Sequence, residues 1–331
     1  MIEQELRGAL AAALDGLPAR QASAAVERLI AHYRGETPTG APVLRDGADA
    51  AAYAAYRMPA TFAAASAALD ALAEGAPDWT PASQLDVGGG TGAAVWAAAQ
   101  VWNPAPATVV LDWAESALAL GRRLAAGVDA LGEADWRRAS LRGGTAPEWE
   151  PADLVTVSYV LGELADEDRR AVVAAAARAA RGAVVLVEPG TPDGYLRIRE
   201  GRDALIAAGL RVLAPCPHDA ACPIVAGQDW CHFAVRVARS SLHRRVKGGE
   251  LPYEDEKFSY VVAVRDAVGG APAAARIVRK PQLRKGQVLL DLCEGEGEGG
   301  LRRRPVTKRE GSAYRAARKA VWGAPFPPAH P

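Results

Sequence analysis

The chain has 331 residues, half of them apolar, with 39 basic and 39 acidic side chains. That length exceeds one ordinary small domain, and that apolar share supplies a sizeable core, which excludes a disordered or fibrous chain. The zero net charge hides an asymmetry: residues 1–210 carry 18 Lys/Arg against 27 Asp/Glu, and residues 211–331 carry 21 against 12.

Leu6, Leu10, Leu14 and Leu17, then Val26, Leu29 and Ile30, recur at helical spacing, so residues 1–35 read as helix. Pro38, Gly40, Pro42 and Gly47 make 36–47 a loop. Residues 48–74 read as helix again, with a break expected near Pro59. Residues 1–80 are thus an expected helical cap. No apolar run is long enough to span a bilayer, and acids at Glu3, Glu5 and Asp15 do not fit a signal peptide. The expectation is a cytoplasmic protein with no membrane partner.

From residue 84 the pattern becomes strand–loop–helix. Strands are expected over 84–87, 108–111, 154–158 and 183–187, and helices over 93–101, 115–126, 166–180 and 194–208. Residues 136–141 offer one further strand. Such alternation predicts an α/β fold with a parallel sheet covered on both faces. Beyond Leu210 the rhythm stops. Residues 215–247 hold three cysteines and a basic, helix-like run. Strands are expected over 258–264 and 287–292, a turn over 295–300, and a Pro-rich, disordered tail near the C-terminus.

Asp86-Val87-Gly88-Gly89-Gly90-Thr91-Gly92 follows a strand and opens a helix. Glycines there permit a tight turn and close approach of backbone to a ligand, and the helix N-terminus offers free N–H groups. Gly88, Gly90 and Ala93 also satisfy a looser dinucleotide fingerprint. Asp86 and Gly92 complete a D-x-G-x-G-x-G form that resembles motif I of class I methyltransferases, whose Rossmann-like fold binds S-adenosylmethionine. On that reading Asp86 faces the ammonium of this small-molecule methyl donor, and Asp112, at the end of the next strand, accepts from the ribose hydroxyls. Ser158 closes the third strand beside the donor methyl. Tyr159 and Glu163 lie next to it, as substrate contacts or as a strand end and helix cap. No catalytic residue is legible; methyl transfer from a sulfonium needs alignment more than a strong base.

Four cysteines, Cys216, Cys222, Cys231 and Cys293, all fall in the basic third, with gaps of five, eight and sixty-one residues. Disulfides are disfavoured in a reducing compartment. Buried thiols are common, but three within sixteen positions of a polar, Pro-rich segment suit a metal centre better. The gaps are wide for zinc and suit an iron–sulfur cluster, with zinc as the alternative. His218 and His232 lie close enough to substitute. Trp230 and Phe233 could stack bases or pack the cysteine loop.

Cys216-Pro217-His218, Cys222-Pro223 and Asp229-Trp230-Cys231-His232-Phe233 resemble the methyltransferase-like small-ribosomal-subunit proteins of the Rsm type. So do Tyr56-Arg57-Met58-Pro59, residues 244–249, residues 253–260, and Tyr314-Arg315-Ala316-Ala317-Arg318-Lys319. The resemblance runs from about Tyr53 to Gly323. It implies a 4Fe-4S cluster on Cys216, Cys222, Cys231 and Cys293, and binding to small-subunit rRNA. With the pattern along the chain, the expected division is a helical cap (1–80), a donor-binding Rossmann-like domain (81–210), a cysteine-rich basic iron–sulfur extension (211–323) and a disordered tail (324–331). Candidate RNA contacts are Arg236, Arg239, Arg244, Arg245, Lys247, Arg302, Arg303, Arg304, Lys308 and Arg309, drawn by the cluster into one basic surface. The chain is then an rRNA methyltransferase, or a non-catalytic assembly factor that retains the donor pocket.

Overall fold

The computed structural model describes residues 2–15, 17–33, 46–143, 148–240, 244, 251–295 and 300–328. Three helices open the chain: α1 (Ile2–Ala13), α2 (Ala19–Tyr33) and α3 (Gly47–Gly75). Asp46 caps α3, its side chain accepting from the Asp49 N–H at 2.8 Å. The break expected at Pro59 does not occur; α3 runs through it. Met58, Phe62, Leu69 and Leu72 are all buried along the helix, and that packing outweighs the proline penalty of about 3 kcal/mol.

A sheet of β1 (Ser83–Val87), β2 (Ala107–Asp112), β3 (Asp135–Arg138), β4 (Ala152–Ser158) and β5 (Ala180–Pro189) follows, all parallel. Its full order is β3-β2-β1-β4-β5-β8-β6, with β7 paired to the free half of β8. β6 (Arg211–Ala214), β7 (Phe233–Ala238) and β8 (Tyr253–Val264) complete it. β8 runs antiparallel to β5, β6 and β7. The sheet is therefore mixed rather than wholly parallel, and it does not end at residue 210. The expected basic helix is in part strand β7: Phe233 and Val237 are buried and Arg236 is exposed, a two-residue alternation.

Helices cover both faces. α4 (Ala93–Val101) and α5 (Glu115–Ala125) share one core with α1 and α3. α6 (Asp166–Ala179) and α7 (Pro192–Ala207) share the other. α3 is thus a layer of the fold rather than a detachable cap.

A second sheet has the order β10-β11-β12, with β9 also on β11. Its strands are β9 (Ala275–Ile277), β10 (Gln282–Arg284), β11 (Gln287–Glu294) and β12 (Gly300–Thr307), backed by α8 (Ser312–Lys319). Ile277, Val288, Leu290, Leu292, Val306, Ala317 and Phe326 form its core. The tail expected to be disordered is ordered to Pro328: Phe326 is buried and Pro325 bridges to Arg276. Residues 215–232 lie between the two sheets.

Candidate functional site

Strand order reverses between β1 and β4, and the glycine loop sits at that reversal, where open α/β sheets bind ligands. Gly88, Gly90 and Gly92 have φ of +67°, +54° and +85°, a region that L side chains avoid. They do different work. A Cβ on Gly88 would lie 2.6 Å from the Val160 side chain, and one on Gly92 would lie 2.5 Å from the Trp136 ring. One on Gly90 would meet only Asp112 Oδ2, at 3.8 Å. Gly88 and Gly92 thus satisfy packing, while Gly90 leaves open space toward a cavity of about 360 Å³. That volume is within the range of small-molecule sites.

Asp112 lines the cavity and is tied to the loop: its Oδ2 accepts from the Gly90 N–H at 2.9 Å and its Oδ1 from the Ala114 N–H at 2.8 Å. Burial raises its pKa against the pull of these N–H groups. Ser158, Tyr159 and Glu163 also line the cavity. Asp86 does not. It is buried beneath the loop, opposite Thr156, whose hydroxyl donates to Oδ1 at 2.7 Å. Its Oδ2 has no partner among the described residues. Burial lifts its pKa to about 7, helped by Asp112. Asp86 therefore stands behind the glycine loop, against Gly89, rather than on the cavity wall.

The opposite wall holds a group legible in the sequence only as two family signatures. Arg57 of α3 donates to both carboxylate oxygens of Glu256 of β8, at 2.6 and 2.9 Å. Tyr159 donates to Glu256 at 3.0 Å, and the Arg57 guanidinium lies 4.9 Å from the Tyr159 ring centre. Burial opposes the charge on Arg57, yet the Glu256 carboxylate holds its pKa above the ordinary value. Burial, then Glu256, pushes the Tyr159 hydroxyl well up. Tyr159 has φ +58°, the one non-glycine with positive φ among the described residues. Such strain persists where surroundings enforce it.

A second cavity lies between the two sheets. Cys216, Cys222, Cys231 and Cys293 all line it, with His218, Tyr195, Arg202 and Arg276. All four thiols are free. Cys216 follows β6, Cys231 precedes β7, and Cys293 comes from β11 of the second sheet. Burial raises the Cys231 thiol pKa, as do Cys216, Cys222 and Cys293 facing it; burial and the same neighbours push Cys293 up to about 12. Arg202 lies against Cys216 and donates to the carbonyls of His218 and Ala220, both at 2.8 Å. Arg276 donates to the Pro215 carbonyl at 3.1 Å. Tyr195 Oη is 3.4 Å from Cys222 Sγ, and His218 Nε2 is 3.7 Å from Cys293 Sγ. Among the described residues no three His, Cys, Asp or Glu side chains converge as ligands of a single metal ion. The sulfurs surround a space rather than a point. Trp230 donates to the Gly190 carbonyl at 2.9 Å and stacks on His232, while Phe233 packs on Phe258 and Tyr260, so both aromatic rings serve packing.

Among the described residues, the eight candidate RNA contacts do not form one free basic surface. Arg236 pairs with Asp255, Arg239 with Glu254, Arg302 with Glu294, Arg303 with Asp291 and Arg304 with Glu310. Arg236 lines a groove against α1 and α3, whereas Arg302, Arg303 and Arg304 lie on β12 in the other sheet. Arg244, Lys308 and Arg309 are exposed. Arg245 and Lys247 lie outside the described residues.

Five parallel strands, an antiparallel strand inserted between β5 and β6, and a glycine loop at the reversal of strand order define a class I methyltransferase-like, Rossmann-type protein. The chain belongs to the family described as mitochondrial small ribosomal subunit Rsm22, which matches residues 47–327. It is 28% identical over 290 residues to the human ribosome assembly protein METTL17, mitochondrial, covering 82% of this chain and 61% of the relative. It is 26% identical over 189 residues to Rsm22-cox11 tandem protein 2, mitochondrial, of Schizosaccharomyces pombe, covering 44% of this chain and 24% of that protein. The chain thus spans less than two thirds of the length of either relative. Among solved structures, magnesium protoporphyrin IX methyltransferase of Synechocystis PCC 6803 aligns at a TM-score of 0.40 and 15% identity, over 62% of this chain and 82% of that one.

Proposed function

We propose that this chain is a methyltransferase-like assembly protein of the small ribosomal subunit, which binds S-adenosylmethionine at the glycine loop and rRNA through its basic C-terminal part. The observation that carries the donor reading is Gly90, whose missing Cβ opens the loop to the cavity while its N–H fixes Asp112 at the rim. Asp112 retains lone pairs for a ribose, Trp113 offers a half-exposed ring beside it, and Ser158 and Tyr159 lie at the end of β4. The family and the name of the human relative support the assembly role.

Four cysteines around one cavity fit a 4Fe-4S cluster better than zinc. Zinc thiolates sit roughly 3.8 Å apart, as tetrahedral Zn–S bonds require, and no such convergence is present among the described residues. Cys216, Cys222, Cys231 and Cys293 would hold the cluster, with Arg202 and Arg276 offsetting the negative charge of the thiolates. The cluster would supply a covalent link between the two sheets rather than chemistry at the donor site.

Catalysis is the open arm. Arg57 and Tyr159 line the donor cavity and both are engaged by Glu256, which favours a non-catalytic factor as the second reading. Labelled S-adenosylmethionine decides between them. Methyl incorporation into small-subunit rRNA by the wild type, lost in Gly90→Arg, supports the enzyme. Donor binding without incorporation supports the assembly factor, and absence of donor binding overturns both as written.

A further inference from the structure

We infer that the RNA phosphate backbone is gripped at one end of the second sheet, by exposed cations of the β10–β11 turn, the turn at Lys308 and Arg309, and the outer side of α8. This rests on the small-subunit RNA reading above and assigns it a surface.

Residues 275–328 hold 13 Lys/Arg and 5 Asp/Glu, so nearly all of the basic excess of the final third belongs to this unit. Ion pairing then sorts the cations. Arg279, Arg302, Arg303 and Arg304 are matched to Asp229, Glu294, Asp291 and Glu310. Arg276 is buried on carbonyl groups. Lys280, Arg284, Lys285, Lys308, Arg309, Arg315, Arg318 and Lys319 are exposed, and among the described residues none has an acidic partner.

The fold places seven of these eight unmatched cations on two adjoining turns and the helix that follows. Arg284 and Lys285 close the β10–β11 hairpin, whose strand β10 is exposed along its whole length. The Lys308 N–H donates to the Gly286 carbonyl at 3.0 Å, which sets Lys308 and Arg309 beside the hairpin turn. α8 begins three residues later, and Arg315, Arg318 and Lys319 fall on one side of it at helical spacing. They line a groove between α8 and residues 320–328.

Four cations from two adjacent turns and three from the next helix suit a charged strand laid across them. Leu283 is exposed on β10, and Val321 lines the α8 groove beside Ala320, Ala324 and Pro325, where the one aromatic ring, Phe326, is buried and offers no exposed centre for a protein interface. Phosphate contacts supply affinity without base specificity, and each adds about 0.9 to the salt slope on a duplex and about 0.7 on a single strand.

The test uses the full chain and a small-subunit rRNA transcript, titrated at several salt concentrations. Combining Arg284→Gln, Lys285→Gln, Lys308→Gln and Arg309→Gln should lower affinity on the order of 100-fold at 0.1 M salt and cut the salt slope by about three. Thermal unfolding should be unchanged, since no ion pair is lost. Arg236→Gln with Arg303→Gln should leave RNA affinity within about threefold. A fourfold variant that binds like the wild type overturns this surface alone, while a wild type that ignores rRNA overturns the RNA reading with it. A variant that loses intact subunits but keeps naked rRNA overturns it in favour of an acidic ribosomal protein.

Discussion

Arg57 and Glu256 meet in a two-point ion pair although 199 positions separate them. The pair joins the middle of α3 to the half of β8 that reaches past the sheet toward β7. Tyr159, held at positive φ after β4, closes the triangle. One wall of the donor cavity is therefore an electrostatic lock among three elements, not a set of free substrate groups.

Breaking that lock should cost more than a surface pair. Arg57→Met leaves Glu256, its side chain only 12% exposed, without its cation and with the Tyr159 hydroxyl alone, an expected loss of roughly 3 kcal/mol. Arg57→Met with Glu256→Leu should recover part of it. Urea unfolding of the single and double variants measures the coupling, and additive losses would show that the two groups act separately.

The glycines of the loop should separate by role. Gly90→Ala adds only the cost of positive φ, about 1 kcal/mol. Gly88→Ala adds a clash with Val160 and should lose more. Gly90→Arg should unfold near Gly90→Ala yet abolish S-adenosylmethionine binding, because its side chain projects into the cavity. Calorimetric titration beside thermal melts reads both axes.

Much of this site was legible because it is local. The strand–glycine–helix motif and Asp112 follow from short-range spacing, and β1, β2, β4 and β5 from their apolar runs, while β3, Asp135-Trp136-Arg137-Arg138, carries no such run and lies partly outside the expected 136–141. What was not legible is what depends on distant partners. Arg57 and Glu256 each look like ordinary charged residues until α3 is laid on β8. The fate of Arg236 or Arg303 depends on which acid faces it across a strand pair, which composition cannot say. Strand β7 hid because Phe233-Ala234-Val235-Arg236-Val237-Ala238 alternates correctly but sits among prolines, cysteines and basic residues that break the surrounding pattern. That Asp86 lies under the loop rather than on the cavity wall depends on the side-chain direction at the end of β1, which spacing does not set.

Asp86 gives a pH prediction. Its folded pKa, raised to about 7 by burial, exceeds the ordinary carboxylate value of 3.8. The folded state then binds the proton more tightly than the unfolded chain. Its contribution is full below about pH 4 and is lost as pH rises through 7. Asp86→Asn, which carries no charge at any pH, should be more stable than wild type at pH 8, by a few kcal/mol at most, and that advantage should shrink steadily as pH falls toward 5 and vanish only below about pH 4. Melting curves between pH 5 and 8 check it, and parallel curves for the two proteins would refute a raised pKa.

The cysteine cavity makes a prediction about mechanics. The second sheet reaches the first through few links: Arg276 on Pro215, Arg279 on Asp229 and Trp230, Trp322 edge-on to His232, and Cys293 facing the other thiols. Its core of Ile277, Leu290, Leu292 and Val306 is closed on itself. On the iron–sulfur reading, one inorganic centre fastens these two bodies. Anaerobically purified protein should then carry about four irons and four sulfides per chain. Cys293→Ser should lose the cluster and expose residues 215–232 to protease, while the Rossmann-type body keeps its helicity and its donor binding. If iron is absent while that segment resists protease as well in Cys293→Ser as in wild type, the packing of the aromatic rings around His232 suffices to hold the two sheets together, and the thiols serve no common centre.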